Sequence, residues 1–241
     1  MKKLLKKLLL LILGLVVLAV LAIYFWIFYD LPSPEDFGTY LPASSTYSPV
    51  PLSEVPEPLR WATVVTMDSS FYSSSPRWDP VAIARAIYYA FQCSEGRCLS
   101  ERTGTIPRGL TVMLMFVSGQ DEGDSARQGL RDLALTLRIT RRYTRDEILE
   151  FYLNSMSYAD QVYGVEAAAQ FYFGKPVREL DLAECTLLTA IVRIYHFDPA
   201  EDLQFVRERQ AVILDLLVEH GYIDAEAAAA AKEQTVAFVS Q

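Results

Sequence analysis

Residues 143–175 read YTRDEILEFYLNSMSYADQVYGVEAAAQFYFGK, and the start of this stretch sets the fold class. Thr144-Arg145-Asp146-Glu147 is a capping box. A hydroxyl that can accept from the third helical N–H stands three residues before a glutamate that can reach back to the cap, so a helix is expected from here to Asn154. Working outward, Asp181-Leu182-Ala183-Glu184 repeats the pattern and opens a helix expected to run through Ile194. Upstream, Asp79-Pro80 places an N-cap before a proline at the first helical position, and VAIARAIYYAF then repeats its apolar residues at helical spacing. Downstream, a helix from about Pro199 ends with Gly221 just past it, and Asp224 caps a last, alanine-rich one. Strand alternation is nowhere convincing, so the expected fold is mainly α.

The chain has 241 residues and a mass of 27.2 kDa, which allows one large globular domain plus an anchor. With 51% hydrophobic and 22% charged residues it is neither disordered nor low-complexity. The net charge of −8 hides an asymmetry. Lys2, Lys3, Lys6 and Lys7 precede every acidic residue, so residues 30–241 carry 18 basic against 30 acidic groups, a net −12. An acidic soluble part argues against nucleic acid or anionic lipid bound through bulk charge, since both need a basic footprint.

From Leu8 to Tyr29 twenty-two residues carry no charge. As a helix that run spans roughly 33 Å at ~1.5 Å per residue, against a hydrocarbon core of ~30 Å. The lysines lie before it, Asp30 and Glu35 after it, and Tyr24, Phe25, Trp26, Phe28 and Tyr29 crowd its far end as an interfacial belt. Residues 1–7 are thus expected as a cytoplasmic basic tail and 8–29 as a single transmembrane helix, with the domain outside. The rival, a cleaved signal peptide, has a shorter apolar core and a small-x-small site that does not occur before Asp30. Residues 30–53, rich in Pro and Ser, read as a tether, leaving 54–241 as the domain. Cys93 and Cys98 are expected to close a small disulfide ring in an extracytoplasmic compartment; a metal site there would need two more ligands that the neighbourhood lacks. Cys185 reads as a buried small hydrophobe. His196 and His220 have no Cys or acidic cluster at ligand spacing, so no metal is assigned.

The opening stretch is similar to the second half of the peptidoglycan glycosyltransferase domain, family 51, the lysozyme-like module of bifunctional penicillin-binding proteins and of monofunctional transglycosylases. VRELDLAECTLLTAIVR downstream and VPEPLRWATVVTMDSSFY upstream fit the same family, so the resemblance covers roughly residues 54–220. It implies a bacterial cytoplasmic (inner) membrane location, and a reaction joining membrane-linked disaccharide pyrophosphates. That reaction needs a carboxylate to take the proton from the acceptor 4-hydroxyl, and cationic groups or a divalent metal to stabilise the departing pyrophosphate. No S-x-x-K transpeptidase motif is seen, since Lys175 and Lys232 follow Tyr172 and Ala229 at that spacing. A single-function protein is expected.

The resemblance breaks down at the chemical positions. The family's E-D-x-x-F motif, whose glutamate is the general base, falls on Met67, Asp68 and Phe71, and a thioether cannot accept the proton. On a helix, Asp68 would point about 100° away from that position. The family's histidine a little downstream is lost within Ser73-Ser74-Ser75. G-G-S-T-I-T-Q-Q aligns with Arg108 to Met115: Gly109 and Thr111 survive as candidate substrate-binding residues, while Leu110, Met113, Leu114 and Met115 make the expected cleft wall apolar. R-K-x-x-E aligns with Gln128 to Asp132, leaving Arg131 as a candidate phosphate ligand and Asp132 as a shortened carboxylate. A plain reading of Arg131-Asp132 as a solvated helix pair stands beside that one. Glu147, Tyr152, Leu153, Asn154, Gly164, Ala167, Ala168, Tyr172, Phe173 and Gly174 are intact, and these build packing and turns.

The expectation is therefore a pseudoenzyme of cell-wall biogenesis that keeps the scaffold and acts by binding a cell-wall synthase or the lipid-linked precursor at the bilayer. The alternative is a divergent, active transglycosylase in which Asp68 or Asp132 serves as the catalytic base, and a divalent metal, Mg or Mn, belongs only with that reading. A glycan hydrolase would need a carboxylic acid of raised pKa facing the sugar, and no residue stands out for it. The stripe Leu110, Val112, Leu114, Phe116 reads either as an apolar jaw on the membrane or as core.

Overall fold

The computed structural model describes residues 2–73, 105–121, 126–192, 197–198 and 201–239. The expected helix at Asp79-Pro80, the Cys93–Cys98 ring, Ser74, Ser75, His196 and Pro199 lie outside these residues. Among them the elements run α1 (Lys2–Phe28), α2 (Phe37–Tyr40), β1 (Thr46–Tyr47), α3 (Glu57–Met67), α4 (Ile106–Val117), α5 (Ala126–Arg142), α6 (Arg145–Ser155), β2 (Ser157–Ala159), β3 (Val162–Tyr163), α7 (Val165–Phe173), α8 (Leu182–Ile191), α9 (Leu203–Glu219) and α10 (Ala225–Glu233). The fold is mainly α.

Both capping boxes form. Thr144 Oγ1 accepts from Glu147 N at 3.3 Å while Thr144 N donates to Glu147 Oε2 at 2.7 Å, and Asp181 and Glu184 exchange the equivalent pair at 3.0 and 2.9 Å. Each box satisfies N–H groups that the first turn of a helix leaves without partners. Asp224 Oδ1 caps α10 by accepting from Ala227 N at 2.7 Å. Helix α8, whose residues from Ala183 to Ile191 are all buried, packs on α3 and α9, and α4 packs on α6 and α5. Glu184 is tolerated in this interior because Lys175 Nζ lies 2.7 Å from its Oε2.

Cys185 is fully buried in α8, as expected. Burial, reinforced by the Asp181 and Glu184 carboxylates, pushes its thiol far above the ordinary range. With Cys93 and Cys98 replaced by serine, Cys185 is expected to resist a thiol-specific maleimide in the native protein and to label on denaturation, as read by mass spectrometry. Labelling within minutes under native conditions would show that the α3–α8–α9 core opens readily.

The segment after α1 corrects the reading of residues 30–53 as a tether. Asp30 adopts φ 61°, breaking the helix in the left-handed region, and the chain then enters the domain directly. Leu31, Pro32, Pro34 and Phe37 are buried. Strand β1 pairs in parallel with β3, Thr46 opposite Val162 and Tyr47 opposite Tyr163, and β3 pairs antiparallel with β2. Asn154 then grips the backbone of Val50 from both sides, accepting from Val50 N at 3.0 Å and donating to Val50 O at 2.8 Å, and Glu150 Oε2 accepts from Leu52 N at 2.7 Å. Glu35 receives the Tyr143 hydroxyl at 2.5 Å and faces Arg142 at 3.5 Å. Partial burial alone would raise its pKa, but the hydrogen bonds from Ser33 and Tyr143 prevail and hold it below the ordinary carboxylate range.

Helix α1 carries an 18-residue window, Leu9–Trp26, of mean hydropathy 2.9 with none of it buried against the rest of the chain. By length and composition it can cross a bilayer.

Candidate functional site

Helix α3 ends at Met67, which is half-buried against the core. Asp68 follows at the C-cap with φ −163° and ψ 78°, so it is not helical, and the 100° offset between helical neighbours does not fix its direction. What fixes it is a turn: Phe71 N donates to Asp68 O at 2.8 Å and Ser70 Oγ to Asp68 Oδ1 at 3.0 Å. Beyond it, Phe71 is fully buried beneath the Arg145 guanidinium, 5.1 Å from its ring, and Tyr72 donates to Asp146 Oδ1 at 2.8 Å. The 68–73 turn is thereby fastened to the start of α6.

On α4 the second-motif positions divide by face. Leu110, Leu114 and Met115 are fully buried, so the apolar residues expected to line a cleft are largely interior. Met113 is half-buried, and Phe116 is exposed. The stripe Leu110, Val112, Leu114, Phe116 is thus split, because residues two apart on a helix lie about 200° apart: 110 and 114 are core and 116 is outside. Thr111 is buried, with its hydroxyl 3.0 Å from Pro107 O and 2.9 Å from Thr136 Oγ1 on α5. Gly109 seats Tyr152 of α6, since a Cβ there would stand 2.8 Å from the ring. Gly109 and Thr111 therefore hold helices together.

Gln128 and Asp132, one turn apart on α5, are both buried, and Gln128 Nε2 donates to Asp132 Oδ1 at 2.8 Å. Arg131 points elsewhere. It shares the face of α5 toward α1 with Arg127, one turn earlier: Arg127 lies over the Trp26 ring at 4.7 Å, and Arg131 donates through Nη1 to Tyr29 O at 3.4 Å and through Nη2 to Gln120 Oε1. The pair is therefore not a solvated one, since Arg131 and Asp132 are 5% and 4% exposed. Sequence reasoning passed over Arg127, Gln120 and their contact with the end of α1; the i, i+4 spacing of Arg127 and Arg131 was the available signal. Among the described residues no three His, Cys, Asp or Glu side chains gather to hold a cation. His220, at the end of α9, lies beside Tyr222.

With this geometry in place, comparison with known proteins is decisive for the class. The sequence profile of the transglycosylase family matches residues 36–218, and the chain belongs to that family, as the motif resemblance to glycosyltransferase family 51 implied. The match begins within the segment read as a tether. Similar proteins include penicillin-binding protein 1A of Haemophilus influenzae, 35% identical over 191 residues (78% of this chain, 22% of the relative), and that of Aquifex aeolicus, 30% identical over 242 residues (92% and 32%). The crystal structure of the Haemophilus influenzae protein matches with a TM-score of 0.46 at 22% identity, covering 81% of this chain and 18% of that one. The chain thus spans between about a fifth and a third of the length of these relatives.

Proposed function

We propose that this chain is a single-pass protein of the bacterial cytoplasmic membrane, with its N-terminus in the cytoplasm and its domain outside, that binds partners or lipid-linked precursor in cell-wall biogenesis without polymerising glycan. The observation that carries the reading is the end of α3. The acceptor hydroxyl must lose a proton, and a base in position contributes typically 10²–10⁴-fold to such a step. At that place the chain offers the Met67 thioether, which has no basic oxygen. Of the other carboxylates in the sequence motifs, Asp68 lies in the turn after α3 and accepts from Ser70, and Asp132 is buried on α5 and accepts from Gln128. A carboxylate that is 4% exposed and already hydrogen-bonded cannot reach a sugar hydroxyl without repacking.

The retained scaffold supports binding over loss of all function. Both capping boxes form, Gly109 seats Tyr152 and Asn154 clamps Val50, so the domain is a packed body that can present a binding surface. The test is an assay of the full chain in detergent with lipid-linked disaccharide pentapeptide and Mg or Mn. No polymer is expected, and Asp132→Ala is expected to change nothing. Polymer formation that Asp132→Ala or Asp68→Ala abolishes would establish the active, metal-assisted reading instead.

A further inference from the structure

Helix α9 has two unlike faces. Val206, Gln210, Ile213, Leu214 and Leu217 are buried where it packs on α3, α8 and α10. On the other side Phe205, Glu208, Val212, Asp215 and Glu219 are all exposed, Phe205 at 53% and Val212 at 60%. Each of these follows the last by three or four residues in turn, so they form one seam along the helix. Its side chains alternate between apolar and acidic from Phe205 to Asp215, and Glu219 closes it.

Two basic groups border the seam. The Arg209 guanidinium lies over the Phe205 ring at 5.8 Å, and Lys232 of α10 pairs with Asp215. Arg207 faces away, donating to Gln210 Oε1 and Gln234 O. Counting all three, residues 201–233 hold eight acidic and three basic side chains, a net −5, so this part of the molecule is acidic whichever of those pairs persist. The charge decides the occupant. A second copy of the chain would set acid against acid, and an anionic bilayer surface would be repelled. A matching partner carries apolar and cationic side chains at the same spacing.

We infer that the outer face of α9 receives a basic amphipathic helix of a partner protein, with its apolar side chains on Phe205 and Val212 and its lysine or arginine side chains against Glu208 and Glu219. Two helices interdigitate at a shallow angle along seams of this spacing, and the charges beside the seam select the partner. Because the inner face of α9 is already packed, the outer one is in place before the partner arrives and little ordering is lost on binding. The inference deepens the partner-binding part of the function proposed above and rests on it.

The experiment uses the full chain in nonionic detergent and a synthetic helical peptide with leucine and lysine at the same spacing on one face and a photoreactive diazirine in place of one leucine. Mass spectrometry of the irradiated mixture is expected to place crosslinks on α9 between Phe205 and Glu219, and the same peptide with glutamate for lysine is expected to give none. Phe205→Ser/Val212→Ser and Glu208→Gln/Glu219→Gln are each expected to cut the yield at least tenfold with unchanged thermal melting, and the second also to remove most of its salt dependence. Glu57→Gln/Glu179→Gln, at exposed carboxylates elsewhere, is expected to leave the yield as it was. Crosslinks scattered over other acidic surfaces, an equal loss in the Glu57/Glu179 variant, or no adduct at all would overturn the inference. So would sedimentation showing the chain paired with itself, with Phe205→Ser/Val212→Ser returning it to a monomer. The two readings fail separately: polymer formation by the same preparation defeats the inactive binder, whereas a missing adduct from a chain that makes no polymer defeats only the α9 surface.

Discussion

Phe37→Ala is expected to destabilise the folded domain by about 3–5 kcal/mol, the usual cost of emptying a buried phenylalanine site. In a domain of this size that lowers the melting temperature by roughly 10 °C. Phe37 is 2% exposed, its ring lies 5.5 Å from Tyr47 and 6.1 Å from Tyr163, and α2 rests on α4. Truncation would remove the contact between the segment after the membrane helix and the small sheet, and the surrounding backbone, gripped by Asn154 and paired through β1, has little freedom to collapse into the gap. Differential scanning calorimetry of the full chain in detergent measures the effect. A shift of under 2 °C would restore the tether reading, because a side chain in a solvated linker contributes nothing to the folded state.

That residue also marks where the sequence stopped being legible. Helix starts were readable because a capping box is local: the hydroxyl or carboxylate and the glutamate lie three residues apart, and nothing distant decides whether they bond. The placement of residues 31–53 was not readable, because the groups that order it lie about a hundred residues later, in Glu150, Asn154 and β3. Strands of two and three residues are too short to show alternation, so the sheet left no trace in the pattern. Phe37 itself, one aromatic in a Pro- and Ser-rich stretch, carried a signal that composition outweighed.

The candidate site divides in the same way. The reading of Met67 at the family motif's base position came from the register that Phe71 sets, and the structure places Met67 at the end of α3, half-buried against the core, with Asp68 in the turn that follows. The apolar residues of α4 were legible as losses of polar groups but not as interior packing, since burial depends on which face α5 and α6 cover. Arg131 shows the limit most clearly. Its motif alignment suggested a ligand in the cleft, yet a residue's neighbour in sequence says little about its direction on a helix, and Arg131 and Asp132 diverge into separate environments.

Gly164→Ala is expected to cost about 3 kcal/mol. Gly164 caps α7 with φ 86° and ψ 157°, a conformation open to glycine and strained for any residue with a Cβ. An added Cβ would also stand 2.8 Å from Asn154 O and 3.3 Å from its C and Cα, and these are backbone atoms that cannot swing aside. Strain there would pass directly to the Asn154 clamp on Val50. Met67→Leu, by contrast, swaps a half-buried side chain for one of similar volume and is expected to cost under about 1.5 kcal/mol. Urea titration of both variants in the same detergent gives the comparison. If Gly164→Ala proved as mild as Met67→Leu, the α6–α7 corner would be pliable, and its preservation would need a reason other than the fold. If the difference is as large as expected, the α6–α7 corner is a position at which the scaffold tolerates no side chain, because backbone atoms of Asn154 close it off, whereas the half-buried end of α3 accepts a change of apolar side chain.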